Sequence, residues 1–269
     1  MRQAVDPYLT GESANKHFAG SRKMLAELHS SEQAFLKKEF VSPGSSIIDV
    51  GCSSGNLGNI VIDEVEESAS YTGIDVDGRA IESARGRHAQ PNISFVAGRF
   101  PEAVAGRTFD YICVFNLFEQ VEDWKTFLLE LAGVSSKYVN IGVSLRLRGN
   151  TVIDVDTSFG YYFDSGMRVH KIVHNMYELF NFCCISEMRV RKLSFYGYNI
   201  QRPSSSRCDF RAVSQEDEIR GNLFLELFPN NVRVNRYGAG SQTSERTEDV
   251  VHAGRPEYSI IINDEEVVI

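Results

Sequence analysis

Apolar positions divide the chain into a short helical part and a longer part in which strands and helices alternate. In the first part, Met24, Leu25 and Leu28 fit one helical stripe. Ser30 with Gln33 then forms a capping-box pattern that opens a second helix running through Phe40. Two N-terminal helices are therefore predicted before the first strand.

From Ser45 onward, short apolar runs alternate with amphipathic segments. The predicted strands are SIIDV at 46–50, YTGI at 71–74, ISFV at 93–96, YICVF at 111–115 and YVNIGV at 138–143. The clearest helical face consists of Trp124, Phe127, Leu128 and Leu131, at spacings i, i+3, i+4 and i+7. Strands separated by helices imply right-handed crossovers, so we predict an α/β fold with a doubly wound, mostly parallel sheet covered on both faces.

After Gly142 the pattern is less regular. A further helix is predicted across 172–180, strands are predicted at 185–190 and 222–227, and a final strand at 258–263. No linker separates an independent core. The predicted organisation is therefore an N-terminal helical cap over 1–42, one α/β domain over 43–228, and a C-terminal extension over 229–269 packed on that domain.

Composition and net charge limit the classes of molecule that the protein is expected to bind. The net charge of −8 argues against a nucleic-acid partner, because such a protein needs a basic face. No apolar run reaches 18 residues and the N-terminus lacks a signal-peptide pattern, so no membrane partner and a cytoplasmic location are predicted. The five cysteines show no paired spacing, so no metal site is predicted. Residues 146–211 carry ten Lys and Arg against six Asp and Glu, which leaves room for an anionic substrate.

A glycine turn follows the first predicted strand. Asp49 lies near the strand end, and Gly51 and Gly55 follow before the helix begins. Glycine permits unusual dihedral angles and lets a ligand approach the backbone, and the first N–H groups of a helix lack intrahelical partners. Asp75 ends the second strand, where a carboxylate can accept both hydroxyls of a ribose. The two features together predict an adenosine-containing cofactor; the alternative is a tight turn without a ligand.

The glycine spacing excludes two common nucleotide motifs. A phosphate-binding G-x-x-x-x-G-K-[ST] loop is missing, and Ser53 and Asn56 occupy the second and third glycine positions of G-x-G-x-x-G. The remaining D-V-G-C-S-S-G resembles motif I of class I S-adenosylmethionine-dependent methyltransferases, D/E-x-G-x-G-x-G, with Ser53 in place of the middle glycine. YTGIDVDGRAIESAR, ISFVAGRFPE and FDYICVFNLFEQVEDWKTFLLEL resemble the family's next three strand regions, so the likeness extends over about residues 40–145.

This resemblance implies a Rossmann-like seven-stranded sheet with an antiparallel final hairpin, and S-adenosyl-L-methionine as cofactor. The cofactor-binding positions that it implies are Asp49, Gly51, Cys52, Ser53, Gly55, Asp75, Val76, Gly98, Arg99, Phe100, Asn116 and Leu117. Arg99 stands where the family often has an aspartate near the adenine amino group, so adenine is expected to contact backbone groups or Phe100. Cys52 is also compatible with simple packing.

An amine or hydroxyl acceptor needs a base to take its proton, whereas a carboxylate acceptor does not. The candidate bases are Glu119, His170 and His174. Glu119 stands where the family often has a Glu-His pair, and its alternative role is a surface carboxylate. His170 and His174 are predicted four residues apart on one helical face, with solvated or hydrogen-bonded histidines as the alternative. Tyr161 and Tyr162 are expected either to cover the acceptor or to pack in the core.

The sequence thus predicts a cytoplasmic methyltransferase acting on a small-molecule, sugar-type or nucleotide-linked acceptor, in surface-polysaccharide or secondary metabolism. One alternative is a cofactor-binding scaffold or regulator without transfer activity, which Ser53 and Arg99 permit. The other is an NAD-dependent oxidoreductase, which the failed glycine spacing disfavours.

Overall fold

The alternation of strands and helices predicted from Ser45 onward is present in the structure. This computed structural model describes residues 22–154, 156, 158–162, 167–186, 188–198, 208–211, 218–227, 259–262 and 265–268. The first five strands are β1 (Ser46–Val50), β2 (Ser70–Asp75), β3 (Ile93–Ala97), β4 (Phe109–Val114) and β5 (Ser135–Arg146). The later strands are β6 (Phe159–Tyr162), β7 (Met167–His170), β8 (His174–Asn175), β9 (Met188–Tyr198), β10 (Cys208–Arg211), β11 (Glu218–Leu227), β12 (Ser259–Ile262) and β13 (Glu265–Val268).

Five helices accompany the strands in the described part of the chain. They are α1 (Ser30–Phe35), α2 (Asn56–Asn59), α3 (Gly78–Arg87), α4 (Trp124–Val134) and α5 (Met176–Ile185). A π-helical segment, Ile60–Val65, continues α2. Short 3-10 turns occur at Leu25–Glu27, Glu102–Val104 and Phe118–Gln120. No helix among these residues has both the length and the apolar content to cross a membrane.

The main sheet has ten strands in the order β13-β12-β9-β11-β5-β4-β1-β2-β3, with β8 pairing with β5. The pairs β1–β2, β1–β4, β2–β3 and β4–β5 are parallel. β11 is antiparallel to both β5 and β9. The seven strands from β3 to β9 therefore form the doubly wound sheet with an antiparallel hairpin that was predicted, and β8, β12 and β13 raise the count from seven to ten. The fold class is confirmed.

A second sheet lies in the region where the sequence pattern was irregular. It has three antiparallel strands in the order β10-β6-β7. The backbone of Tyr161 and Tyr162 belongs to β6, while their side chains lie outside the described part of the structure, so their predicted role stays a prediction.

Apolar side chains fill both faces of the main sheet. On one face, the predicted stripe of α4 packs on the central strands, with Trp124, Leu128 and Leu131 buried. On the other face, α1 docks through Phe35, whose ring stacks on Phe224 of β11 at a centroid distance of 4.8 Å. Burying one such side chain contributes on the order of 1.5–3 kcal/mol. The two cores hold the sheet as a central layer.

A buried chain of polar groups also anchors α1. Ser31 Oγ donates to Asn222 Oδ1 at 2.7 Å, and Asn222 Nδ2 donates to Asn140 Oδ1 at 3.0 Å. Asn140 Nδ2 donates to the Tyr111 hydroxyl at 3.1 Å, which in turn donates to the Phe35 carbonyl at 2.7 Å. Since a buried polar atom without a partner is costly, this chain ties α1 to β4, β5 and β11 in one register.

The N-terminal elements differ from their predictions. The first predicted helix is only the 3-10 turn Leu25–Glu27, and α1 ends at Phe35 rather than Phe40. His29 is the N-cap residue of α1, and its N–H donates to Glu32 Oε2 at 2.9 Å. The capping pair is therefore His29 with Glu32, because the carboxylate is the better acceptor for that N–H, and not Ser30 with Gln33.

The segment holding the two candidate histidines is also different. His170 ends β7 and His174 lies in β8, while α5 begins only at Met176. Val173 pairs with Val152 in an isolated bridge, and His174 pairs with Leu145 of β5. These pairings keep 172–175 extended. The prediction of two histidines on one helical face is therefore wrong.

Candidate functional site

The chain turns sharply where β1 ends. Gly51, Ser53 and Gly55 have φ angles of 80°, 47° and 76°, in the left-handed region that favours glycine. The N–H groups of Gly51 and Cys52 donate to the Ile74 carbonyl at 2.9 and 3.1 Å. These bonds hold the turn against the end of β2. We call residues 51–55 the glycine corner.

The carboxylate of Asp75 faces the glycine corner. Its Oδ2 accepts the Ser53 N–H at 2.8 Å, and its Oδ1 accepts the Asp77 N–H at 2.9 Å. Burial raises the pKa of Asp75, while the two backbone N–H groups act in the opposite direction. A carboxylate oxygen can accept more than one hydrogen bond, so both oxygens retain capacity for ligand hydroxyls. The two predicted parts of the cofactor site therefore lie one hydrogen bond apart.

Side chains of the protein itself occupy the space that a Cβ atom would need at Gly51 and Gly55. A Cβ on Gly55 would lie 2.3 Å from the ring of Phe95, which belongs to β3. A Cβ on Gly51 would lie 3.0 Å from Leu117. Gly55 thus allows α2 to pack closely on β3. Four N–H groups of the corner, at residues 51, 52, 53 and 55, already donate to protein oxygens, so the group that the corner presents to a ligand is the adjacent Asp75 carboxylate.

Asp49, just before the corner, and Cys52, within it, are both buried. Asp49 Oδ2 accepts the Tyr71 hydroxyl at 2.7 Å. Burial raises the pKa of Asp49 to about 7, although the Tyr71 hydrogen bond and the Arg22 guanidinium act to lower it. Burial also raises the pKa of the Cys52 thiol, and Cys52 Sγ lies 2.7 Å from where a Cβ on Gly73 would stand. Asp49 is therefore a carboxyl group that a nearby cation can ionise, and Cys52 is a packed thiol.

The residues predicted near the adenine have different positions. Val76 is 42% exposed next to Asp75, and the Gly98 N–H donates to the Asp75 carbonyl at 2.9 Å. Arg99 is exposed, whereas Phe100 is buried with its ring edge-on to Phe127 at 5.7 Å. Phe100 belongs to the hydrophobic core because burial removes its whole ring from water. The expected contact of Phe100 with adenine therefore stays a prediction, as do those of Val76 and the backbone at Gly98.

The loop after β4 carries the other predicted residues. Asn116 is exposed with φ 57°, and Leu117 is half-buried against Gly51. Glu119 Oε2 accepts the Ser144 hydroxyl of β5 at 2.6 Å. The Glu119 carbonyl also accepts the Ile172 N–H at 2.6 Å. Glu119 is thus held at both its backbone and its side chain.

His174 and His170 are not placed alike. His174 is fully buried, stacked on Phe118 at 4.7 Å and edge-on to Trp124 at 5.1 Å. Neither ring nitrogen of His174 has a hydrogen-bond partner, and burial lowers its pKa to about 3. An imidazole enclosed in this way is a weak base and has no surface that an acceptor molecule could reach, which favours a core role for His174. His170 is half-buried, with Nδ1 3.2 Å from the Ile153 carbonyl oxygen.

A polar cleft adjoins the glycine corner at the carboxyl ends of β4 and β5. It is small, with a cavity volume of about 10 Å³, which is close to the space that one water molecule needs. We call it the polar cleft. The residues that line it are His29, Glu32, Asn116, Glu119, Gly142, Val143, Ser144, Gly221 and Asn222. Asn116 lines the cleft and the next residue, Leu117, packs on Gly51, so the cleft and the corner share one wall.

The sequence pattern did not identify several charged and polar residues that line the cleft or lie close to it. Glu32 is buried and paired with Arg22, whose guanidinium lies 5.9 Å from the ring centroid of Phe115. Lys171 is buried too, with Nζ 3.5 Å from Ser144 Oγ. The sequence could have indicated Ser144, because it is a polar residue that directly follows an apolar strand pattern. It could not have indicated Glu32, because only the docking of α1 brings that residue to the ends of the central strands.

Within the described ranges, no group of three or more His, Cys, Asp or Glu side chains lies close enough to hold a metal ion.

Comparisons with known proteins agree with this architecture. Residues 47–137 match the family model described as "Methyltransferase domain". A search of curated protein sequences finds no match.

Three solved structures share the fold. A chain of the Haloferax volcanii complex that contains the Trm112 methyltransferase activator has a TM-score of 0.56 and 13% identity, covering 82% of this chain and 96% of that one. The [4+2]-cyclase SpnF has a TM-score of 0.52 and 13% identity, covering 71% and 79%. Magnesium protoporphyrin IX methyltransferase (ChlM) from Synechocystis PCC 6803 with bound SAM has a TM-score of 0.50 and 10% identity, covering 83% and 88%.

At these identities the structural likeness establishes the fold, and the family model adds the central sequence motifs. Residues 47–137 match a methyltransferase-domain model and the chain shares the fold of solved methyltransferases, in agreement with the family resemblance predicted from its sequence.

Proposed function

We propose that the protein is an S-adenosylmethionine-dependent methyltransferase acting on a small-molecule acceptor, and that it works in the cytoplasm. The observation that carries the proposal is the Asp75 carboxylate bonded to the Ser53 N–H of the glycine corner, at the carboxyl edge of a sheet with this strand order. The related magnesium protoporphyrin IX methyltransferase was crystallised with bound SAM, which supports the choice of cofactor.

The residues present fit the cofactor. Asp75 would accept the ribose hydroxyls with its remaining lone pairs, and Val76 would contact the adenine with its exposed side chain. The buried Asp49 carboxyl group would face the positive charge of the donor. Bound S-adenosylmethionine supplies an activated methyl group, so the chain's task is to orient the acceptor and exclude water.

A second candidate is a scaffold or regulator that binds the cofactor without transferring a methyl group. The [4+2]-cyclase SpnF shares this fold although it is named for another reaction. The fold alone therefore does not imply methyl transfer, which supports this second candidate. Ser53 in place of the middle glycine adds to that reason. A nucleotide-linked acceptor remains a proposal, supported by the positive balance of residues 146–211. A sugar-type acceptor, and a place in surface-polysaccharide or secondary metabolism, remain proposals as well.

Calorimetry with S-adenosylmethionine, its demethylated product and NAD tests the proposal. We expect the first two to bind and NAD not to bind; binding of NAD alone would refute it. Binding of the donor without label transfer to any cell extract would favour the scaffold.

The ribose assignment is tested by Asp75→Ala. We expect at least about tenfold weaker donor binding, because a hydrogen bond to a charged acceptor contributes about 1.5–3 kcal/mol. The matched control is Glu82→Gln, which alters an exposed carboxylate on the neighbouring α3 and should leave the affinity unchanged. Equal affinity of Asp75→Ala and wild type would contradict the assignment.

A further inference from the structure

We propose that the site distinguishes the methyl donor from its demethylated product by charge, and that Asp49 makes this distinction by giving up a proton when the cationic donor binds. This inference rests on the proposed function and deepens it, because it names the charge state that the site selects. Among the described residues, the charged groups that act on Asp49 are those of Arg22, Asp75 and Glu32. We call these four residues the Asp49 cluster.

The first support is the position of the cluster. Asp49 is 5% exposed and precedes the glycine corner by two residues, and its neighbours in the sheet are Gly73 of β2 and Cys113 of β4. The Arg22 guanidinium lies 5.9 Å from the ring centroid of Phe115, which follows β4. The cluster therefore lies at the carboxyl end of β1, beside the corner proposed to hold the donor.

The second support is the way in which each carboxyl group is balanced. Glu32 pairs with the Arg22 guanidinium, and Asp75 accepts two backbone N–H groups. Asp49 Oδ2 accepts the Tyr71 hydroxyl, a neutral donor, at 2.7 Å. The cluster thus holds three carboxyl groups and one guanidinium, and Asp49 is the member whose described hydrogen bond comes from an uncharged group. Because a buried carboxylate without a cation is costly, Asp49 either keeps its proton or faces a cationic ligand.

The third support is the electrostatic surroundings of Asp49. Burial raises the pKa of Asp49 to about 7, although the Tyr71 hydrogen bond and the Arg22 guanidinium act to lower it. The Asp75 and Glu32 carboxylates raise this pKa further. Two buried thiols with raised pKa values also face Asp49, on Cys52 and Cys113. Near pH 6 the Asp49 carboxyl group is therefore mostly protonated, and a bound cation would lower its pKa and displace the proton.

The donor and its product differ by one positive charge at sulfur. Methyl transfer breaks the methyl carbon–sulfur bond with its electron pair remaining on sulfur, so the sulfonium becomes a neutral thioether. Asp49 then takes a proton back from water, because the cation that held it ionised is gone. The product is therefore held less tightly than the donor, which favours exchange of product for donor.

The first test counts the protons released on binding. Calorimetry on the full chain near pH 6, in buffers of different ionisation enthalpy, gives this number for the donor and for the product. We expect the donor to release about one half to one proton and the product clearly less. Asp49→Asn should remove the difference between the two ligands, whereas Glu82→Gln, the exposed control on α3, should keep it. Equal proton release by both ligands in wild type would overturn the proposal.

The second test separates charge from the transferable methyl group. It uses an amine analogue of the donor, in which a carbon bearing a protonated amine replaces the methylated sulfur. This analogue keeps the positive charge and has no sulfonium. We expect it to release as many protons as the donor does. Release as small as that of the product would contradict the proposal, because the site would then respond to the sulfonium methyl group and not to the charge.

The third test follows affinity with pH. We expect the ratio of donor affinity to product affinity to rise about tenfold from pH 5.5 to pH 7 in wild type, and to stay constant in Asp49→Asn. Tyr71→Phe removes a hydrogen bond that lowers the pKa of Asp49, so the rise should move to higher pH. A merely structural role of Tyr71 would leave the pH of the rise unchanged. A wild-type ratio that does not depend on pH would refute the proposal.

The failure of this inference can be told apart from the failure of the proposed function. If calorimetry shows binding of neither donor nor product, the proposed function fails. If both bind but wild type and Asp49→Asn release the same number of protons, the function stands and the inference about Asp49 fails.

Discussion

Asp49 shows how one buried carboxyl group couples the site to pH. Its pKa is raised from 3.8 to about 7, so the folded chain holds the proton more tightly than the unfolded chain. As the pH rises from about 4 to about 7, this group therefore lowers the free energy of unfolding, and the whole penalty is present above pH 7. The same carboxyl group would be held ionised by a bound sulfonium.

We expect Asp49→Asn to remove this dependence. The difference in free energy of unfolding between variant and wild type should shift in favour of the variant by a few kcal/mol from about pH 4 to pH 8. Urea denaturation at several pH values measures it. A difference that stays constant with pH would contradict the assignment.

His174 has the opposite effect. Its pKa of about 3 means that the folded state keeps the imidazole neutral, whereas the unfolded chain binds a proton below about pH 6.5. The wild type should therefore lose stability as the pH falls from 6.5 toward 3. His174→Phe removes this loss and the two unpartnered nitrogens between Phe118 and Trp124.

We expect His174→Phe to raise the thermal midpoint of unfolding at neutral pH. Its advantage over wild type in the free energy of unfolding should be about 2 kcal/mol larger at pH 5 than at pH 8. Donor affinity should stay unchanged, because the residue lies in the core. Loss of donor binding with a retained fold would show that His174 belongs to the site after all.

At the scale of elements, the junction of β1 and α2 depends on Gly55. Alanine there would be strained at φ 76° and would meet the Phe95 ring at 2.3 Å. Gly86 on α3 is the matched case, because a Cβ there meets nothing within 4 Å.

We expect Gly55→Ala to cost about 2–4 kcal/mol and Gly86→Ala to gain about 0.5–1 kcal/mol. Chemical denaturation of both variants checks the pair. Equal stability of the two variants would show that the corner tolerates a side chain.

Element prediction succeeded where the pattern is local. The apolar run SIIDV is β1 itself, and the stripe from Trp124 to Leu131 is the buried face of α4. It failed at 172–175, where the residues have a helical spacing but pair with Val152 and Leu145 instead. Such pairing partners lie far away in sequence, so periodicity does not reveal them.

At the scale of the whole molecule, β11 completes the sheet. It lies between β5 and β9 and pairs with both, whereas β12 pairs on the outer side of β9 and β13 pairs with β12. The proposed domain boundary at residue 228 therefore separates strands that close the sheet from strands that extend it.

We expect a chain ending at residue 228 to fold and to bind the methyl donor as the full chain does, because all seven central strands remain. A chain ending at residue 217 lacks β11 and should fail to fold, since β5 and β9 lose their shared neighbour. Circular dichroism and calorimetry on both test the boundary. Failure of the longer chain would place 229–269 within the domain.

The sequence by itself determined the alternation of strands and helices, the glycine corner with Asp75, and hence the family resemblance, because each depends on neighbours along the chain. Only the tertiary structure decided that β11 enters between β5 and β9, that α1 brings Glu32 to the sheet edge, and that Ser144 holds Glu119. It also decided that His174 and Phe100 are core residues. These outcomes depend on contacts between residues that are far apart in the sequence. Such contacts form only in the folded sheet, so the local pattern of the sequence does not reveal them.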